Sequence, residues 1–231
     1  MNRRGFTLFE LLIAIGIFAM VSLLIYAAFS SMAKSKQGLE RIQERQREGR
    51  LAMQRITREL QGAYLSLHIP DNQTLVMQKT AFIGSRGIPA DRVDFNAFAN
   101  IRRDRDGHDS DQAEISYFGS PDPDRSGTID LARRISSRPD LEPTKGGRVE
   151  ILATDIDLFD LEYLDPTTDR FTETWDSTST TGQPGRLPFL VRVTLVLNQG
   201  QRARSDSGRS RIRLVTTINL PIQKPLNFAL L

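Results

Sequence analysis

Cysteine is absent from the 231 residues, which excludes disulfides and any thiolate metal or redox centre. Histidine occurs only at His68 and His108, too few for a multi-histidine metal site. Proline is missing until Pro70, so no missing backbone N–H interrupts a helix before that point. No glycine-rich phosphate loop of the Walker type occurs, and no Ser, His and Asp set is brought together by spacing for nucleophilic catalysis. Strands do not alternate with helices, which argues against a doubly wound sheet.

Charge is the next absence. Residues 11–29 read LLIAIGIFAMVSLLIYAAF, without one charged side chain. At about 1.5 Å per residue such a helix covers about 28 Å, close to the ~30 Å hydrocarbon core of a bilayer. A helix of a soluble core carries a polar stripe, and this run has none. A membrane-spanning helix is therefore expected. Tyr26-Ala27-Ala28-Phe29-Ser30 also just accommodates a signal-peptidase site, which would remove the run. Glu10 stands at the near edge of the run. A carboxylate at the centre of a membrane helix costs about 2.5–3.5 kcal/mol, less near its end. Glu10 either snorkels to the interface or pairs with a positive group of a neighbouring helix.

The stretch Arg4-Gly5-Phe6-Thr7-Leu8-Phe9-Glu10-Leu11-Leu12-Ile13-Ala14 resembles the prepilin leader motif of type IV pilins and type II secretion pseudopilins. The resemblance implies cleavage between Gly5 and Phe6 by a membrane-embedded prepilin peptidase, N-methylation of the new Phe6 amine, and retention of the apolar helix. It also implies that Glu10 meets the terminal amine of an adjacent subunit during filament assembly. Major pilins usually carry a proline within this helix, and this chain has none there. The whole chain carries 31 Lys+Arg against 28 Asp+Glu; without Arg3 and Arg4 the count is 29 against 28, or +1, so basicity says little about nucleic acid. Counting flanking positive charges places the C-terminal side in the cytoplasm. The resemblance implies the opposite, a periplasmic domain on a single-pass inner-membrane anchor, and we follow it because large domains translocate against the charge count.

Beyond the run, Met53, Ile56, Leu60, Ala63 and Leu67 recur at 3-4-3-4 spacing. This predicts a helical continuation over 30–67 whose apolar face packs on the soluble domain, with Gly38 and Gly49 as points of bending. A continuous helix over 6–67 would be roughly 90 Å long. The charged residues around Glu44 and Glu48 read as solvated surface. Period-two patterns follow. Val93, Phe95 and Ala97 alternate with polar residues, as do Ile115 and Tyr117, Val191 to Leu197, and Ile212 to Ile218. The alternation switches phase between Leu158 and Phe159, which predicts a bulge or bend. Half-buried strands of this kind suit antiparallel sheets with a helix on one face. The fold expected is thus α+β and pilin-like, a long N-terminal helix packed on antiparallel sheets, with a leader at 1–5, a transmembrane helix at 6–29 and a β-rich domain at 68–231.

The order of Gln54-Arg55-Ile56-Thr57-Arg58-Glu59-Leu60, Val93-Asp94-Phe95, Ile115-Ser116-Tyr117-Phe118, Leu131-Ala132-Arg133-Arg134, Leu161-Glu162-Tyr163-Leu164-Asp165, Trp175 and Leu187-Pro188 is similar to the J-type minor pseudopilins of type II secretion. That resemblance implies a structural subunit near the tip of a periplasmic pseudopilus. Its implied partners are I- and K-type minor pseudopilins, the major pseudopilin and the prepilin peptidase. A type IV pilus minor pilin is the alternative within the superfamily. A surface binding protein for DNA or a calcium-dependent ligand is the alternative outside it.

Two acidic clusters bear on calcium. One holds Asp104, Asp106, Asp109, Asp111 and Glu114. In the other, Asp122, Asp124, Ser126 and Asp130 place oxygens at positions 1, 3, 5 and 9 of a calcium-type loop with Gly127 at position 6. Position 12 is Arg133, where a bidentate glutamate belongs, and Asp, Pro, Ser and Gly equally supply a tight turn between strands. Arg202, Arg204, Arg209, Arg211 and Arg213 form a basic hairpin without interleaved aromatics to stack bases, so no nucleic-acid partner is expected.

Overall fold

The structure is a computed structural model that describes residues 7–66, 79–100, 111–198 and 211–227. The chain forms two compact units, Met1–Glu44 and Arg45–Leu231. Helix α1, Leu8–Gln61, contributes to both.

In the first unit α1 carries the apolar run, and its side chains are exposed. Phe18 and Tyr26 are each 75% exposed, and the run is long and apolar enough to cross a membrane. Apolar surface of this extent requires lipid or neighbouring helices around it.

The second unit begins with the last turns of α1. Met53, Ile56 and Leu60 are buried as their spacing predicts, each side chain contributing about 1.5–3 kcal/mol. The apolar periodicity runs past the helix end, however. Gly62 N–H donates to the Glu59 carbonyl and Ala63 N–H to that of Leu60, tightening the final turn. Ala63 then pairs with Ala97 as extended backbone. Leu67, the last residue of the predicted stripe, lies outside the described residues. α1 passes through Gly49 without interruption. A Cβ there would lie 2.8 Å from Leu197 Cδ1, so the glycine lets the sheet approach the helix. Arg45 and Glu48 are not solvated surface either. Arg45 donates to the Asn198 carbonyl (2.9 Å) and the Thr154 carbonyl (2.8 Å), while Glu48 accepts the Thr154 N–H (2.6 Å).

Ten strands follow among the described residues: β1 Phe82–Ser85, β2 Arg92–Phe98, β3 Gln112–Pro121, β4 Ile129–Ser136, β5 Arg148–Ala153, β6 Ile156–Asp165, β7 Arg170–Thr172, β8 Trp175–Asp176, β9 Leu190–Asn198 and β10 Arg211–Asn219. They build two antiparallel sheets, one of six strands in the order β5-β4-β3-β2-β1-β8 and one of four in the order β10-β9-β6-β7. The phase switch at Leu158–Phe159 coincides with a register shift between Ile156 and Leu158 against β9. Both sheets and α1 share one core, where Phe82 meets Tyr163 edge-on at 5.9 Å and Tyr163 meets Trp175 at 6.3 Å. The sheets are also tied by backbone. Asp91 N–H donates to the Phe159 carbonyl, and Phe159 N–H to that of Pro89.

One expectation fails in an instructive way. The polar residues alternating along β2 and β3 do not face solvent: Asp94, Asn96, Glu114 and Ser116 are all buried. The β4–β5 connection, residues 137–147, folds back over that face.

Candidate assembly site

The N-terminal end of α1 is held by its own side chains. Glu10 Oε2 accepts the Thr7 N–H (3.0 Å) and the Thr7 hydroxyl (3.1 Å), and Thr7 Oγ1 accepts the Glu10 N–H (3.3 Å). This reciprocal pair is a capping box, with Thr7 as N-cap and Glu10 three residues later. Both bonds to Glu10 fall on Oε2. Its Oε1 has no partner among the described residues, and the carboxylate is exposed. A carboxylate offers about four acceptor positions, so the box leaves capacity for an outside cation. Gly5 and Phe6 lie outside the described residues.

The acidic loop between β3 and β4 forms a turn. Asp122 Oδ1 accepts the Asp124 N–H (2.8 Å) and the Arg125 N–H (3.2 Å), and its Oδ2 accepts from Arg125 Nε (2.6 Å). The Asp124 N–H, followed by the Arg125 guanidinium, holds the Asp122 carboxyl below its ordinary pKa, with burial working the other way. Asp130 Oδ1 accepts the Asp155 N–H (2.8 Å), and Asp124 and Ser126 are exposed. The structure thus commits Asp122 and Asp130 to backbone and arginine partners. Among the described residues, no group of three or more His, Asp or Glu is gathered to hold a metal. In the other cluster Asp104, Asp106 and Asp109 lie outside the described residues, while Glu114 is buried and accepts the Asp140 N–H (2.8 Å). Of the arginine hairpin, Arg202, Arg204 and Arg209 lie outside the described residues, and Arg211 pairs with Asp157 (2.6 Å).

The largest features missed in the sequence are two buried ionic networks. On the face of the six-stranded sheet toward α1, Arg133 engages Glu59 through two bonds, Nε to Oε2 (2.9 Å) and Nη2 to Oε1 (2.7 Å). Tyr117 donates to the same carboxylate, and Arg133 Nη1 reaches Glu150 (2.7 Å). Burial, reinforced by Glu59, raises the Tyr117 phenol well above its ordinary pKa. A signal for this network existed: Glu59 sits one residue before Leu60, inside the apolar stripe of α1.

On the opposite face Arg134 donates to the Ser116 hydroxyl (2.8 Å) and to the Pro143 and Lys145 carbonyls, tying down residues 137–147. Ser116 in turn donates to Asp94. Glu114 belongs here, its Oε2 unbonded and 3.8 Å from Arg134. Burial raises the Glu114 pKa from its ordinary 4.5, against the lowering pull of the Asp140 N–H. A carboxyl shifted in this direction stabilises the fold in its protonated form and loses that contribution as pH rises through the folded pKa. Glu114→Gln is therefore expected to gain thermal stability over the natural chain as pH rises from acid to neutral. Melting curves across that range check this; a difference independent of pH would contradict it.

A family model described as "Type II secretion system (T2SS), protein J" matches residues 27–205, and one described as "Prokaryotic N-terminal methylation motif" matches residues 1–26. Among solved structures, the chain is similar to a chain of the GspK-GspI-GspJ complex from the enterotoxigenic Escherichia coli type 2 secretion system. Identity is 15%, with 80% of this chain and 99% of that one covered, at a TM-score of 0.44. It is also similar to a type IV-like pilin from Thermus thermophilus, at 12% identity, 75% and 94% coverage and a TM-score of 0.47. No curated protein sequence matches the chain.

Proposed function

The chain belongs to the protein J family of type II secretion, and from that premise we propose that it assembles near the tip of the pseudopilus with I- and K-type minor pseudopilins. The family is one of structural pseudopilin subunits, not enzymes, and the chain carries the N-terminal methylation motif that goes with it. Its hydrophobic N-terminal helix is of the kind typical of prepilins anchored in the inner membrane.

In this reading the leader is cut between Gly5 and Phe6, Phe6 is methylated, and the helix over 6–29 stays as the single membrane anchor. The part of α1 from residue 30 to Gln61 and the β-rich remainder of the chain stand in the periplasm. The observation that carries the assembly step is Glu10. It is the one acidic residue at the edge of an uncharged helix, and among the described residues its Oε1 has no partner and the apolar surface beside it is exposed. A neighbour's terminal amine supplies the cation that this oxygen lacks, which lowers the cost of a carboxylate in lipid and brings the helices together. The calcium-dependent and DNA-binding alternatives find no support in the committed carboxylates of Asp122 and Asp130 or in the pairing of Arg211.

Two measurements test this. A tagged full chain co-purifies with the I- and K-type pseudopilins; recovery of neither contradicts the tip assignment. Glu10→Ala leaves leader cleavage intact and lowers recovery in the assembled complex about tenfold, the loss of roughly 1.4 kcal/mol. Unchanged incorporation would contradict the role given to Glu10.

A further inference from the structure

Three of the four sheet edges are short: β8 has two residues, β7 three and β5 six. The fourth, β10, has nine, and it pairs only with β9. No hydrogen bond from another described segment reaches the far side of its backbone. A long edge with unpaired N–H and C=O groups is a template for another strand.

Beside this edge runs a groove of about 400 Å³, walled by Leu214, Val215 and Thr216 of β10 and by one face of α1 from Arg50 to Gln61. Met53 and Leu214 make it partly apolar. Arg50 and Arg58 are exposed on its helix side; among the described residues they form no ion pair, and no carboxylate lines the groove. These arginines are eight residues apart, about 12 Å along the helix. In an extended chain, side chains four residues apart share a face and lie about 13 Å apart. The spacing of the two cations thus matches an extended segment with acids at positions i and i+4. An extended segment also satisfies the β10 backbone, which a docked helix leaves unpaired.

We propose that the β10 edge accepts an extended acidic segment of a neighbouring pseudopilin as an added strand, its carboxylates meeting Arg50 and Arg58 and its apolar side chains meeting Met53 and Leu214. This rests on the assignment of the chain to an assembly with other pseudopilins.

The test is residue-resolved amide exchange on the full chain in detergent, alone and with purified I-type or K-type pseudopilin. Alternate amides of β10, those facing away from β9, should exchange at least about tenfold more slowly in one of the two complexes. The double variant Arg50→Glu/Arg58→Glu should weaken that complex by about tenfold, as expected for two reversed pairs at a partly exposed site, with its melting temperature unchanged. A complex that forms without protecting β10, or that protects only the α1 face, overturns the added strand and leaves the assembly reading standing. Protection of β10 in the chain alone, rising with its concentration, assigns the edge to a second copy and also overturns the proposal. Failure to bind either pseudopilin removes the assembly reading itself.

Discussion

Replacing Arg133 with leucine is expected to cost about 3–5 kcal/mol of stability, because it strands the Glu59 carboxylate in the core. Both side chains are nearly inaccessible, at 1% and 2% exposed, and the two bonds between them make a bidentate charged contact. Tyr117 adds a third bond to Glu59, but a phenol does not balance a charge. Arg55, at 3.2 Å, is the only other cation in reach among the described residues, and it is more than a third exposed and screened by water. Glu59→Leu is expected to cost less, since Arg133 keeps Glu150 at 2.7 Å. The double variant Glu59→Leu/Arg133→Leu should recover much of the loss, because removing both charges abolishes the desolvation penalty along with the attraction. Urea unfolding of the full chain in detergent measures all three. A loss below about 1 kcal/mol for Arg133→Leu would show that the pair is not desolvated in the way its burial indicates.

The second large effect lies where the two sheets meet. A Cβ on Gly84 would overlap the hydroxyl and ring of Tyr163, which is fully buried between Phe82 and Trp175. Neither the ring nor the β1 backbone, paired on both sides with β2 and β8, has room to yield. Gly84→Ala should therefore cost about 1–3 kcal/mol, the range for overpacking a core. For a unit of this size that is roughly 2–4 °C of melting temperature per kcal/mol. The Tyr163 hydroxyl has no hydrogen-bond partner among the described residues, so Tyr163→Phe alone should be neutral or slightly stabilising. Combined with Gly84→Ala it should rescue part of the loss, because the overlap with the oxygen goes while that with the ring stays. Melting curves of the three variants check this. Full tolerance of Gly84→Ala would mean that the sheets separate more easily than their packing suggests.

Much of the architecture is legible in the sequence because it depends on periodicity. The uncharged run over 11–29, the buried stripe of Met53, Ile56 and Leu60, and the phase switch at Leu158–Phe159 each follow from side-chain direction within one element. What stays hidden depends on segments distant in the chain. Asp94 and Ser116 alternate like solvent-facing residues, and nothing in β2 or β3 reveals that residues 137–147 return to cover them. Gly49 looks like a weak point in a helix until Leu197 and Leu214 arrive against it. β7 and β8 are too short to show a period. At the candidate assembly site, Thr7-x-x-Glu10 is readable as a capping box from spacing alone, yet the charge of Glu10 directed attention outward to a neighbour. The capping bonds fall on Oε2, and Oε1 has no partner among the described residues.

Assembly through Glu10 requires an apolar helix that survives processing and exposes an amine at Phe6. The intact mass of the mature protein, with sequencing from its N-terminus, tests this most directly. The expected product lacks residues 1–5, begins at Phe6 and carries one added methyl group on that residue. A product beginning at Ser30 or later, or one still beginning at Met1, would contradict it.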